Sequence, residues 1–343
     1  MTAPFPRTLL EFQDQFPDDE ACIAYLIARR WPNGFTCPKC DPAGPRDGWR
    51  LNARPLWECR RGHQTSITAG TLMENTKLPL RVWFWAAYLM ATHSNGFSAL
   101  QLRQQFGVNY RTAWLLEAKF RRAMIAPDRT QLFGVIEVDQ TEVPFRESNP
   151  PLGVGGRTGM ITVVGAVELL DGTTGDPLKP TRTMYFPDTR PGRIRLAVVP
   201  DNTAATLEAF VRENVAPGSG VITDGHRSYS LTPHGYVHAP RTVGPMAAHV
   251  LLPWIHRTFA LVKRWGMGVY HGLRRRHVQT YLDEFCFRFN RRASRQATFN
   301  RILGLAAVHP PVPYHQITGG RPRDYAKDKA RRLARAASLG GDI

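Results

Sequence analysis

Two apolar runs that each end on an aspartate constrain this chain more than any other feature. They read Gly134-Val-Ile-Glu-Val-Asp139 and Gly220-Val-Ile-Thr-Asp224. β-Branched runs of this length predict buried strands. A carboxylate at the tip of a buried strand is costly unless something positive stands beside it. Two divalent ions about 4 Å apart would satisfy both acids, activating an attacking oxygen and stabilising a leaving one, which is the chemistry of phosphodiester cleavage and strand transfer. An aspartate after a strand often does no more than start a turn. For one aspartate that reading would prevail; two in matching contexts on a basic chain favour function.

The pattern around these runs predicts a mixed α/β domain over residues 130–295. Further strands are expected at 161–167, 182–186 and 194–199, a helix at 204–213, and helices again at 254–264 and 275–292. Strands followed by a helix that crosses to a further strand give a mixed sheet. The Pro/Gly-rich stretch 145–159 reads as a loop.

Residues 1–125 change character twice. Residues 1–30 read as two short helices, the second N-capped by Asp18. Residues 31–75 are rich in Pro, Gly, Cys and Arg and hold too little apolar volume to fold by burial alone. Within them, Cys37-Pro-Lys-Cys40 and Cys59-Arg-Arg-Gly-His63 carry four zinc ligands at ribbon-like spacing. The second half is C-x3-H where C-x2-C is usual, so the alternative is a degenerate ribbon with His63 on the surface. Cys22 and Cys286 lie on apolar helical faces and read as small buried hydrophobes.

Residues 76–126 are helical. Ser98 and Gln101 form a capping-box pattern, Gly107 interrupts, and Asn109 can cap the next helix. Helix, Gly-containing turn, helix is the helix-turn-helix layout. Arg103, Arg111 and Lys119 are its candidate DNA contacts, each weighed against plain solvated surface.

The charge balance agrees. The 343 residues hold 45 Lys+Arg against 28 Asp+Glu, a net +17, which points to a polyanionic partner. No apolar run is long enough to span a bilayer, no signal-peptide layout is present, and the cysteines cluster as metal ligands, so a cytoplasmic, nucleoid-associated protein is expected.

A third ligand is needed beside Asp139 and Asp224. His256 and Lys263 stand seven residues apart (263 − 256), about two helical turns, and share one helix face. His256 could complete the metal site and Lys263 could hold a DNA phosphate. A carboxylate is the better Mg²⁺ ligand, so Glu284, Glu137 and Glu142 are rivals.

The stretches CPKC, HQTSITAGTLMENTKLPLRVWFWAAYLMAT, FSALQLRQQFGVNYRTAW, IEVDQTEV, VITDGHRSY, HRTFALVKRW and YLDEFCFRFNRR cover most of residues 5–295. In that order the chain resembles the bacterial DDE insertion-sequence transposases, in the branch with an N-terminal zinc ribbon. The resemblance implies a ribonuclease H-like catalytic core behind the ribbon and helix-turn-helix. It places the acids on Asp139 and Asp224, the third position on His256 and the following basic residue on Lys263. Two departures stand out: the second zinc knuckle lacks its second Cys, and the loop after the first acid reads Gln140-Thr141-Glu142.

The expected mechanism follows. The ribbon and helix-turn-helix dock the element's terminal repeats, and Asp139, Asp224 and His256 hold two Mg²⁺ or Mn²⁺ ions, a His ligand making Mn²⁺ the stronger alternative. The element end is cleaved and its 3′ hydroxyl attacks target DNA. Lys263, Arg288, Arg291 and Arg292 grip the double-stranded DNA backbone, and a homo-oligomer joins two ends at once. The rivals are a non-catalytic DNA-binding protein and another metal-dependent nuclease on the same core. Residues 296–343 are expected to form a basic C-terminal tail.

Overall fold

The computed structural model describes residues 5–40, 48–51, 55–125, 129–146, 158–225, 231–241 and 251–319. Helices α1 (Leu9–Gln15) and α2 (Asp19–Arg30) start where side-chain oxygens cap them. Thr8 accepts from the Glu11 N–H at 3.1 Å, and Asp18 from the Ala21 N–H at 2.9 Å. Each bond satisfies a donor the first turn leaves open.

Next come three short antiparallel strands, β1 (Gly48–Arg50), β2 (Leu56–Cys59) and β3 (Gln64–Ser66). They do not stand alone. Trp31, Phe35 and Trp57 pack against one another and join the same core as α2 and the almost wholly buried helix α3 (Leu80–Thr92). Arg30 ties the junction, donating to the carbonyls of Ile67 and Ala69.

Helix α4 (Ala99–Phe106) carries the Ser98/Gln101 capping box and stops at Gly107. The turn needs φ 62° there, a left-handed conformation open to glycine at little cost. Asn109 then caps α5 (Tyr110–Ala123), accepting from the Arg111 N–H at 2.8 Å. Ala113, Leu116 and Phe120 face the core, whereas Leu100 is half exposed.

The second half is a mixed sheet. Strand β5 (Thr158–Asp171) pairs antiparallel with both β4 (Val135–Arg146) and β6 (Thr189–Val198). Helix α6 (Ala204–Asn214) crosses to β7 (Gly220–Thr223), which pairs parallel with β4, and β8 (Val237–Pro240) pairs parallel with β7. The sheet order is β6-β5-β4-β7-β8, and the two-residue β9 (Leu273–Arg274) pairs with the end of β4. Side chains alternate across the sheet. Ile136, Val138 and Val221 pack on α6. Val135, Ile194 and Leu196 pack on the opposite side against α7 (Pro253–Tyr270) and α8 (Val278–Phe289).

Helix α8 also seals the β6 edge. The Gln279 amide accepts from the Val198 N–H at 2.8 Å, and Asn290, just past the helix end, brackets Ile194, accepting from its N–H at 2.7 Å and donating to its carbonyl at 3.1 Å. An open sheet edge is thereby occupied by side chains.

Three expectations change. The strand expected at 182–186 is irregular chain: Met184 takes φ 49°, and its side chain is buried in the core. The loop expected at 145–159 is shorter, because β4 continues to Arg146 and β5 begins at Thr158; residues 147–157 lie outside the described residues. The basic tail expected from 296 begins later. Helix α9 (Arg295–Val308) returns to the N-terminal core, where the Phe299 ring meets Phe12, Phe16, Phe84 and Tyr88. A short helix α10 (Tyr314–Thr318) follows, and residues 320–343 lie outside the described residues. The apolar residues of α9 explain the difference, since a 14-residue helix holding Phe299, Ile302, Leu303 and Ala306 buries too much apolar surface to remain a tail. Among the described residues no helix is long and apolar enough to cross a membrane.

Candidate active site and zinc centre

Asp139 sits in the middle of β4, opposite Gly165 of β5, and is 5% exposed. Burial pushes its carboxyl up to about 6, the Asp224 charge adds to the rise, and the Gln140 N–H, 2.8 Å from Oδ1, opposes it. Asp224 follows directly on β7, which lies beside β4. The two acids are thus neighbours in space, close enough for their charges to act on one another.

His256 reaches the same point from α7. Its Nε2 lies 3.3 Å from Asp139 Oδ2. One face of α7 is apolar (Ile255, Phe259, Val262) and seats the helix on the sheet. Gly165 permits the close approach: a Cβ there would stand 2.7 Å from both Ile255 and Phe259. Lys263, farther along α7, donates to Thr141 Oγ1 at 2.9 Å, and Thr141 is two residues beyond Asp139 on the same strand face.

The rival ligands are placed elsewhere. Glu284 is fully buried on α8 and is engaged by Arg121 Nε at 2.7 Å. Glu142 is exposed. Glu137 shares a strand face with Asp139, but its Oε2 accepts the backbone N–H groups of Trp254 at 2.9 Å and Ile255 at 2.8 Å. It therefore caps the N-terminus of the helix that carries His256. Burial pushes its carboxyl up to about 7, against those two hydrogen bonds and the Arg241 charge. This capping role was not foreseen. The signal was the period-two spacing of Glu137 and Asp139, which puts both on one face.

The basic residues singled out for DNA divide. Arg103 is exposed on α4. Arg111 stacks over the Tyr314 ring at 4.6 Å and donates to its hydroxyl at 3.1 Å. Lys119 turns inward, donating to the Leu72 carbonyl at 3.1 Å. Arg288 bonds the carbonyls of His93 and Ser94 and pairs with Glu284 at 3.5 Å. Arg292 bonds the carbonyls of Pro191 and Gly192, and Arg291 lies over the Phe287 ring at 3.9 Å. Lys119, Arg288 and Arg292 thus tie elements of the chain to one another.

The zinc ligands converge. The ligand atoms of Cys37, Cys40, Cys59 and His63 all lie within 4.8 Å of one another. Cys40 Sγ is 3.8 Å from Cys59 Sγ and 3.4 Å from His63 Nδ1, and Cys37 Sγ is 3.7 Å from His63 Nδ1. Those separations are the edges of a tetrahedron around one ion with bonds of about 2.0–2.3 Å. The β2–β3 turn explains the C-x3-H spacing: the Cys59 N–H donates to the His63 carbonyl at 3.1 Å, which folds the imidazole back to the thiolates. The four side chains fit a structural Cys3His zinc site. Among the described residues it is the one set of three or more such side chains that closes to single-ion distances; Asp139, Asp224 and His256 form a more open set.

Two family models match the chain. An ISXO2-like transposase domain matches residues 131–290, and a transposase zinc-ribbon domain matches residues 17–65. A Halobacterium salinarum protein described as an uncharacterized protein in transposable element ISH50 is 26% identical over 284 residues, covering 78% of this chain and 90% of its own length.

Proposed function

Because the chain belongs to the insertion-sequence transposases that join an N-terminal zinc ribbon to an ISXO2-like transposase domain, we propose that it cuts and joins DNA at a centre formed by Asp139, Asp224 and His256. One observation carries this reading: His256 Nε2 stands 3.3 Å from the buried Asp139 carboxylate, whose ionisation Asp224 opposes. Two acids that repel and an imidazole beside them form a donor set for hard or borderline divalent cations. Its openness compared with the zinc cluster suits two ions rather than one. When bound, Mg²⁺ or Mn²⁺ would supply charge neutralisation at the attacking and leaving oxygens.

The chain's own residues do the rest. Asp139, in the middle of β4, and Asp224, just past the end of β7, keep two carboxylates on adjacent strands, which fixes the centre. Lys263, held on Thr141, points an ammonium at the strand that bears Asp139 and is placed to meet a phosphate. The sheet order β6-β5-β4-β7-β8 supports a ribonuclease H-like core. Helices α4 and α5, with the Gly107 turn, support a helix-turn-helix, and with the ribbon they would bind the terminal repeats of the element. Arg103 is its clearest remaining DNA contact. Two DNA ends must be held together for joining, which calls for a homo-oligomer on DNA. We divide the chain for this reading into helices at 1–30, a ribbon at 31–75, a DNA-binding helical region at 76–126 and a catalytic domain at 130–295.

The test uses the zinc-loaded full chain, duplex DNA carrying the element end, and Mg²⁺ or Mn²⁺. Asp139→Asn, Asp224→Asn and His256→Ala should each abolish cleavage and strand transfer while end binding persists. An Asp139→Asn protein that still cleaves overturns the scheme. Binding without cleavage by the unaltered protein in either metal favours a purely DNA-binding role.

A further inference from the structure

The first turn of α5 and the end of β9 meet across an open cavity of about 220 Å³. Tyr110, Arg111 and Trp114 of α5 form one side, Arg274 and Arg276 the other, and Tyr314 of α10 a third. No acidic residue lines it. Arg274, Arg275 and Arg276 are consecutive and exposed. Arg275 lies over the Phe145 ring at 5.6 Å, and Arg276 donates to the Thr318 carbonyl and to His277 Nε2, each at 3.0 Å. Arg111 is held by the Tyr314 ring and hydroxyl. Among the described residues, none of these four arginines pairs with a carboxylate. His277, whose ring stands 5.1 Å from that of Trp114, records the resulting field. Burial, and after it the charges of Arg276, Arg121, Arg274 and Arg122, push its imidazole down to about 4.

We infer that this seam binds the sugar-phosphate backbone of duplex DNA, with Arg274, Arg275 and Arg276 on phosphates beside the first turn of α5. Guanidinium forks match phosphate oxygens, and backbone contacts set the register of a duplex without reading its sequence. The place of the seam in the fold carries the argument further. In a helix-turn-helix the N-terminal residues of the second helix face DNA, and Tyr110 and Arg111 open α5. Strand β9 pairs with the end of β4, Arg274 opposite Arg146, on the strand that bears Asp139. At about 3.3 Å per residue, Arg146 lies roughly 23 Å along that strand from Asp139. One duplex held at the seam therefore touches the helical region and the sheet together, at a distance from the bond that is cut. The inference rests on the reading of the chain as a DNA-binding transposase and is independent of the metal centre.

The experiment uses the zinc-loaded full chain without added Mg²⁺ or Mn²⁺ and measures binding of a duplex carrying the element end as a function of salt. Arg274→Gln should lower the salt slope by about one phosphate contact, and the triple variant with Arg275→Gln and Arg276→Gln by about three. Arg274→Lys should keep the slope. Arg212→Gln, which removes an equal charge from the exposed face of α6, should keep it too, and so separates contact from net charge. A duplex of unrelated sequence should lose affinity by the same factor. Arg274 is exposed, so an unchanged thermal midpoint is expected for its single variants. Duplex binding by the unaltered chain with the same slope in Arg274→Gln and in the triple variant overturns the seam alone. The expected slopes without any cleavage once Mg²⁺ or Mn²⁺ is added uphold the seam and overturn the catalytic reading.

Discussion

Glu137 Oε2 and the backbone N–H of Ile255 are joined by a 2.8 Å hydrogen bond, and the neighbouring Trp254 N–H shares the same oxygen at 2.9 Å. Strand β4 thus carries both Asp139 and the cap of the helix that brings His256 to it. The position of the imidazole is set by the strand it approaches. Glu137→Ala would leave two buried donors without an acceptor, and stability should fall by roughly 2–3 kcal/mol. Glu137→Gln keeps a carbonyl oxygen there and should lose about 1 kcal/mol or less. Urea unfolding separates the two. DNA cleavage should follow the same order, with KM for DNA nearly unchanged and kcat reduced more in the alanine variant.

Gly165 makes a second prediction. A methyl group there would stand 2.7 Å from Ile255 and Phe259 and 2.9 Å from Leu196. Gly165→Ala should therefore lift α7 from the sheet beside Asp139. Overpacking of this kind costs about 1–3 kcal/mol. We expect cleavage to fall by more than the loss of folded protein accounts for, because His256 moves with the helix. Activity per folded molecule equal to that of the unaltered chain would show that the helix can yield without moving His256.

The buried network between α5 and α8 predicts a pH dependence. Arg121 bonds Glu284 at 2.7 Å and Glu117 at 2.9 Å, and all three side chains are almost fully buried. Arg121 is shared between the two carboxylates, and the second guanidinium of the network, Arg288, pairs with Glu284 and not with Glu117. Burial pushes the Glu117 carboxyl up to about 8, with the Glu284 charge contributing and the Arg121 charge opposing. The folded state therefore holds a proton on Glu117 that the unfolded chain, near its ordinary value of 4.5, releases. Stability from this group is full below about 4.5 and is lost as pH rises toward about 8. Glu117→Gln should remove that part of the slope, seen as a flatter plot of unfolding free energy against pH between those limits. Arg121→Met, in contrast, should destabilise by about 3–5 kcal/mol near neutral pH, because it removes the closest charge partner of the buried Glu284 and leaves it to Arg288 at 3.5 Å and the Tyr270 hydroxyl.

Zinc removal supplies the last prediction. The ribbon shares a core with α2 and α3 through Trp31, Phe35 and Trp57. Chelation should then lower the thermal midpoint of the whole N-terminal region, not of the ribbon alone. His63→Ala should release zinc to a chromophoric chelator at least tenfold faster than the unaltered chain. His63→Cys should retain it, since a thiolate completes the same tetrahedron.

Much of this was legible from residue order. The caps at Asp18, Ser98 and Asn109 and the strands begun by the apolar runs before Asp139 and Asp224 rest on local rules, where one side chain satisfies a nearby backbone group or a short apolar run favours extended chain; the expected end of the first strand at Asp139 does not hold, since β4 continues to Arg146 on its long pairing with β5. Residues 182–186 misled because Thr183, Tyr185 and Phe186 are side chains that favour strands, while Met184 takes φ 49° and is buried in the core. Glu284 and Glu137 looked like interchangeable acids because nothing local distinguishes them. Their partners, Arg121 and the α7 N-terminus, lie far away in the chain.

What the amino-acid order alone determined was the inventory and the repeat lengths: four candidate zinc ligands, two aspartates after apolar runs, and helical spacing that puts His256 and Lys263 on one face. These depend on covalent spacing and backbone periodicity, which are local properties. Only the tertiary structure decided which acid stands beside His256, which arginines hold the chain together, and that Arg274 and Arg276 meet the first turn of α5. Those outcomes depend on which surfaces are desolvated together, and desolvation is a property of the packed whole. Asp139 and Asp224 were visible as candidates from their contexts; their charges became a pair when β7 settled beside β4.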